Sequence, residues 1–344
     1  MVSLRAIRFL LLLSLSCTTM LAGCDMVLLR PSGDVAAQQG HLVVLSTLLM
    51  LLIVVPVIAL TLVFAWRYRA SNTAARYAPE WDHSIQLELL IWSAPLLIII
   101  GLGALTWIGT HTLDPYRSLT RIDASRPMSF EAEPLNIEVV ALDWKWLFIY
   151  PDHGIAVVNE LAAPVDIPIH FKITSSSVMN SFFIPALAGQ IYAMPSMTTT
   201  LHAVINRPGE YEGFSANYSG AGFSDMRFKF LGVGAGDFDR WLQKAKASKD
   251  ELTRDAYLQL EKPSEREPVR RYRAVALDLF DAVVNRCVDQ GKMCLREMMA
   301  IDAHRSSGRQ SAGDAIALNL GLGAAVCRAD NSAAGALLPS VYRD

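Results

Sequence analysis

The segment Ser215-Ala216-Asn217-Tyr218-Ser219-Gly220-Ala221-Gly222-Phe223-Ser224-Asp225-Met226 has the spacing of a binuclear copper loop. Such a loop needs thiolates four residues apart to bridge the metals, an imidazole four residues on, and a weak axial thioether beyond it. Here hydroxyls stand at Ser215 and Ser219 and a phenyl ring at Phe223, so Met226 is the one soft donor retained. The backbone carbonyl of Asn217 could add an oxygen, but a carbonyl and a thioether cannot hold two copper ions. No metal is assigned to this chain.

Other side chains could supply a substitute site. His170 and His202 fall in strand-like runs and His153 in a turn after Tyr150-Pro151, where histidine is more often packed or hydrogen-bonded than ligating. Met179, Met194, Met197 and Met226 suit copper handling and core packing equally. In Asp143-Trp144-Lys145-Trp146 both indoles read best as packing groups. Glu88 stands at the start of an apolar segment, and two readings stay open for it. A carboxylate there is stabilised by the helix dipole, and at a membrane edge it is otherwise costly unless it is solvated or functional.

These residues must be positioned by a chain that is part membrane and part globular. Hydrophobic residues make up 52% and charged residues only 19%, while 31 Lys+Arg against 33 Asp+Glu leave no basic field for nucleic acid. Residues 1–23 read as an export signal, with Arg5 and Arg8 ahead of a short apolar stretch. It closes on Leu21-Ala22-Gly23-Cys24, which resembles a bacterial lipobox and marks Cys24 for lipidation, and Asp25 resembles an inner-membrane retention signal. After a periplasmic segment at 24–41, spans are predicted at 42–66 and 87–110, each long enough to cross about 30 Å of hydrocarbon. Arg67, Arg69 and Arg76 place the connecting loop, 67–86, in the cytoplasm and both termini outside.

Residues 111–134 read as a linker. Period-two alternation then predicts strands at 136–142, 145–150, 165–173, 190–194, 198–205, 209–214 and 226–232, grouped as a β-sandwich domain at 135–236. A helical arm is predicted at 237–305, with helices capped by Asp237 and Ser248 and a third over 269–287, followed by a poorly ordered tail at 306–344. Of five cysteines, Cys287 and Cys294 are close enough for a disulfide.

The lipobox, the two spans and the sandwich together resemble subunit II of the haem–copper oxidases. Asp143-Trp144-Lys145-Trp146, Asn159-Glu160, Ser177 to Pro185 and Ser215 to Met226 resemble its quinol-oxidising branch, the cytochrome bo-type ubiquinol oxidases. The resemblance covers roughly residues 20–285. It implies a two-helix transmembrane hairpin, a cupredoxin-like sandwich without copper, and a role as a non-redox subunit of a proton-pumping ubiquinol oxidase. Relative to copper-bearing members, Asn180, Ser215, Ser219 and Phe223 occupy the lost ligand positions. The resemblance further implies that haems, copper and ubiquinol reside in a partner subunit I, beside further small membrane subunits. It makes Glu88 a proton-uptake group for that partner, leaves the isolated chain inactive, and places the complex in a bacterial inner membrane. Two rivals are a copper-binding cytochrome c oxidase subunit II and a lipid-anchored cupredoxin-like envelope module.

Overall fold

The computed structural model describes residues 27–76, 78–128 and 133–305. The export signal, Cys17, Cys24, Asp25, Cys327 and the tail at 306–344 lie outside the described residues. The chain divides into two compact units, 1–292 and 293–344, and the described part of the second is a helix at 295–305.

Helices α1 (Asp34–Arg67) and α2 (Ile85–Thr112) are both long and apolar enough to cross a membrane. They run antiparallel, since Leu42 near the start of α1 meets Gly109 near the end of α2. Their large apolar side chains are exposed along most of both helices, as a lipid-facing or subunit-facing hairpin requires. At 34 residues α1 is about 51 Å long, more than a bilayer core needs. The helix starts well before the predicted span at 42 because its first turns are not lipid-facing. Asp34, Val35, Ala36 and Gly40 are buried, and the Asp34 carboxylate accepts from Arg121 Nε at 2.8 Å and Gln38 Nε2 at 2.7 Å. Just ahead, a Cβ on Gly33 would lie 2.6 Å from the carbonyl oxygens of Leu187 and Val204, so only glycine lets α1 enter so close to the domain.

The predicted linker carries a small hairpin, β1 (Arg121–Asp123) and β2 (Arg126–Pro127). Arg126 fastens it, with both terminal nitrogens on the Asp166 carboxylate at 2.9 Å. The sandwich proper is built from β3 (Leu135–Leu142), β4 (Lys145–Tyr150), β5 (Ile155–Val158), β6 (Glu160–Pro164), β7 (Pro168–Ser175), β8 (Asn180–Phe183), β9 (Ile191–Ala193), β10 (Thr199–Val204), β11 (Gly209–Ser215) and β12 (Arg227–Val233). The five-stranded sheet has the order β6-β12-β11-β8-β9. The other runs β10-β7-β3-β4-β5 and gains a sixth strand, contributed by residues 270–272 of the arm, at its edge. Between them Trp146, Phe148, Phe171, Phe182 and Phe228 form the aromatic centre, with Phe182 stacked on Phe228 at 5.5 Å. Removing one such buried ring costs about 3–5 kcal/mol. The buried Tyr150 hydroxyl ties the layers together: it donates to the Ala162 carbonyl at 2.8 Å and accepts from the Ala162 amide at 2.9 Å.

The arm opens on α3 (Ala235–Lys246), which begins two residues before the predicted cap at Asp237, and whose Phe238, Trp241, Leu242 and Ala245 face the core at helical spacing. Its cap is Gly234, and Asp237 sits in the first turn, where its charge favours the dipole. Two expectations fail beyond it. Ser248 caps no helix: β13 (Glu251–Leu252) intervenes, and Thr253 caps α4 (Arg254–Leu260) by accepting from the Ala256 amide at 3.2 Å. The predicted helix at 269–287 is β14 (Arg270–Tyr272), β15 (Ala274–Val275) and only a short α5 (Leu279–Val284). The open edge of β5 captures β14 in antiparallel register, Arg271 opposite Val157, and that pairing overrides helical propensity. The arm thereby covers the outer face of the larger sheet, and every residue of β4 and β5 is buried.

Candidate functional site

Strands β8, β11 and β12 bring the positions that the resemblance marks as ligand sites to one end of the sandwich. Asn180 opens β8, Ser215 closes β11, and the chain returns through Met226 into β12, with the Ser215 amide on the Met226 carbonyl at 3.1 Å. Asn180, Ser215 and Met226 are buried. Ser215 Oγ donates to Asn180 Oδ1 at 3.2 Å, with the Asn217 carbonyl an alternative acceptor at the same distance. Asn180 Nδ2 donates to the Val178 carbonyl at 3.1 Å. Ser219 Oγ lies 4.0 Å from Met226 Sδ. Phe223 leaves this group: half-buried, it packs edge-on against Tyr218 at 5.6 Å.

An amide, two hydroxyls and one thioether are neutral and mostly hard donors, and they engage one another or the backbone. Two copper ions need thiolates and imidazoles. The binuclear copper centre expected of copper-bearing members of the resembled family therefore does not fit the residues present here, and no chemical step is routed through it. Among the described residues no three His, Cys, Asp or Glu side chains gather to hold a metal.

Trp144 covers the loop. Its indole Nε1 donates to the Ser219 carbonyl at 2.9 Å, and a Cβ on Gly222 would lie 2.6 Å from its ring, so glycine is needed for the ring to lie flat on the backbone. Trp146 points the other way, into the core. Between them Lys145 is 1% exposed, and its ammonium donates to the carbonyls of Asp143 at 3.1 Å and Lys262 at 2.8 Å and to Ser264 Oγ at 2.7 Å. Burial pushes its pKa down, opposed by Glu267 and Asp143. Asn159 acts as a second clamp between sandwich and arm, accepting from the Trp146 amide and donating to the Glu267 carbonyl, both at 2.8 Å. Sequence reasoning missed these clamps. The available signal was Lys145 in an otherwise apolar strand, on the face opposite Trp146 and Phe148.

His170 and His202 face each other across β7 and β10 and stack at 4.7 Å with rings 5° from parallel. His170 Nδ1 lies 3.1 Å from Asn136 Oδ1. Burial lowers both pKa values, with Lys172 adding to the effect at His170 and His170 at His202. His153 packs on Phe238. Glu88 is exposed in the first turn of α2, at the end of the hairpin remote from the sandwich. Cys287 and Cys294 are disulfide-bonded.

Two family profiles match this chain: the periplasmic domain of cytochrome c oxidase subunit II at residues 151–231, and the COX aromatic-rich motif at 246–291. The second is the arm that carries β13 to α5. Cytochrome bo(3) ubiquinol oxidase subunit 2 of Pseudomonas putida is 47% identical over 294 residues, which is 85% of this chain and 91% of the relative. The protein of that name from Pseudomonas aeruginosa is 48% identical over 81% of this chain and 82% of its own length. Ubiquinol oxidase subunit 2 of Acetobacter aceti is 49% identical over 78% and 85%. The periplasmic domain of cytochrome oxidase subunit II of Bradyrhizobium japonicum, a solved structure, is 24% identical with a TM-score of 0.32, covering 35% of this chain and 97% of its own. With two membrane-length helices, a sandwich of this topology and relatives that match along most of their length, the chain belongs to the ubiquinol oxidase subunit II family of the haem–copper oxidases.

Proposed function

We propose that this chain is the non-redox subunit II of a proton-pumping ubiquinol oxidase in a bacterial inner membrane. The observation that carries the reading is the buried Asn180–Ser215 hydrogen bond at 3.2 Å, which fills the place of metal ligands with mutually satisfied neutral groups. A copper-binding subunit II of a cytochrome c oxidase would need soft anionic donors there. With no relay on the outer face, electrons enter the partner subunit I directly from the quinol, and haems, copper and ubiquinol belong to that partner.

The chain's own work is then mechanical and electrostatic. Its hairpin docks in the membrane against subunit I and small subunits, its sandwich caps the outer face, and the Lys145 and Asn159 clamps hold the arm to that cap. Cys24 takes a lipid anchor, both termini lie in the periplasm, and Glu88 on the cytoplasmic side delivers protons to the partner. The isolated chain is inactive. The test is to purify the complex by a tag on this chain and measure oxygen uptake with ubiquinol and with reduced cytochrome c. Uptake with ubiquinol alone supports the reading, and uptake driven by cytochrome c overturns it.

A further inference from the structure

Where the hairpin meets the sandwich, two cavities share part of their walls. One, about 250 Å³, is polar in its charged walls: Asp34 and Gln38 from the start of α1, Arg117 and Arg121 from the segment after α2, and His202 from β10. The other, about 480 Å³, is a groove between the helices lined by Leu42, Ser46, Leu105, Thr106 and Gly109. Leu113, Asp114 and Pro115 line both, which sets the two cavities side by side. At Gly109 the helices come close, since a Cβ there would approach Leu42 Cδ1 to 3.0 Å.

The chemistry changes from apolar to charged across that boundary, at the place where the helices leave the membrane. Asp34 is already held by Arg121 at 2.8 Å. Arg117 Nη1 reaches the His111 carbonyl at 3.3 Å, which anchors the guanidinium while its other donors can take an oxyanion. Asp114 accepts the Tyr116 amide on Oδ1 at 3.0 Å and leaves its second oxygen for a cation. Two arginines against two aspartates give no net charge, which matches a headgroup carrying both signs. An acyl chain gains about 0.8 kcal/mol per buried methylene in such a groove.

We infer that this pair of cavities is a site for a zwitterionic glycerophospholipid on the sandwich side of the membrane. One acyl chain lies in the groove, the phosphate meets Arg117, and the headgroup ammonium meets Asp114. The inference needs only the hairpin in a membrane and stands apart from the identity of the electron donor.

The experiment is solvent extraction and mass-spectrometric counting of phospholipid from the full oxidase complex purified in mild detergent, for wild type, Arg117→Glu and Thr106→Trp. Subunit and haem content report integrity, and the two variants attack the site from opposite ends. The expected result is about one phosphatidylethanolamine fewer per complex in each variant than in the wild type, since Arg117→Glu removes the charge-assisted contact to the phosphate and Thr106→Trp fills the groove. Equal retention in all three proteins would overturn the inference. So would loss of a quinone instead of a phospholipid.

Discussion

Removing the Ser215 hydroxyl tests whether the positions marked as ligand sites form one hydrogen-bonded unit. In Ser215→Ala the buried Asn180 Oδ1 loses its donor at 3.2 Å, at about 2 kcal/mol within the range for a stranded polar group. In Asn180→Ala the Ser215 hydroxyl turns to the Asn217 carbonyl, also 3.2 Å away. That variant loses about 1 kcal/mol of hydrogen bonding and about another 1 for the small cavity. The double variant strands no amide oxygen, so its cost should be about 3 kcal/mol instead of the additive 4. Hydrogen exchange in the purified complex can read this at the Ser215 amide, bonded to the Met226 carbonyl at 3.1 Å, and the Ala216 amide, bonded to the Ser181 carbonyl at 3.0 Å. Each single variant should speed exchange about 30-fold and the double about 150-fold, at about 1.4 kcal/mol per tenfold. A double variant near 900-fold, which is simple additivity at about 4 kcal/mol, would refute the coupling.

Three further outcomes are expected. Glu88→Gln should slow steady-state turnover about tenfold or more, the scale of a lost proton-transfer group, with assembly intact; unaltered turnover would leave Glu88 only its helix-dipole role. His170 and His202 both have folded pKa values below the unfolded value of about 6.5, so as pH falls the unfolded chain takes up protons first. The stability they contribute is present above about pH 6.5 and lost as pH falls through the lower folded values. His202→Gln should flatten that acid loss in thermal unfolding, and an unchanged pH profile would count against it. Finally, Cys287 and Cys294 should resist alkylation until a reductant is added, whereas labelling of both without reduction would contradict the oxidised pair.

The strands that alternate were legible because burial follows the pleat: Thr199–Val204 and Arg227–Val233 alternate inside and out as their side chains do. Lys145–Tyr150 was legible as a strand but not in its role, since the cover over its outer face comes from residues more than a hundred positions away. The arm was misread for the same reason. Nothing local in Val269 to Cys287 announces the open edge of β5, and that partner decides whether Arg270-Arg271-Tyr272 coils or extends. The predicted start of the strand at 165 came too early because Asp166 turns at φ 62° to meet Arg126, ahead of β7. At the candidate site the identities of Asn180, Ser215, Ser219 and Phe223 carried the functional conclusion directly. What they could not convey is that the first two satisfy each other while Phe223 turns away to Tyr218.

The central claim is that this cupredoxin-like sandwich carries, where a binuclear copper centre would need thiolates and imidazoles, neutral groups that engage one another instead of a metal. Copper per haem, measured on the complex purified by a tag on this chain from copper-replete cells, tests it most directly. The account predicts copper equal to that of subunit I alone, unchanged when Met226, the one soft donor left in the loop, is replaced by leucine. Copper in excess of subunit I's own, lost on that replacement, would contradict it.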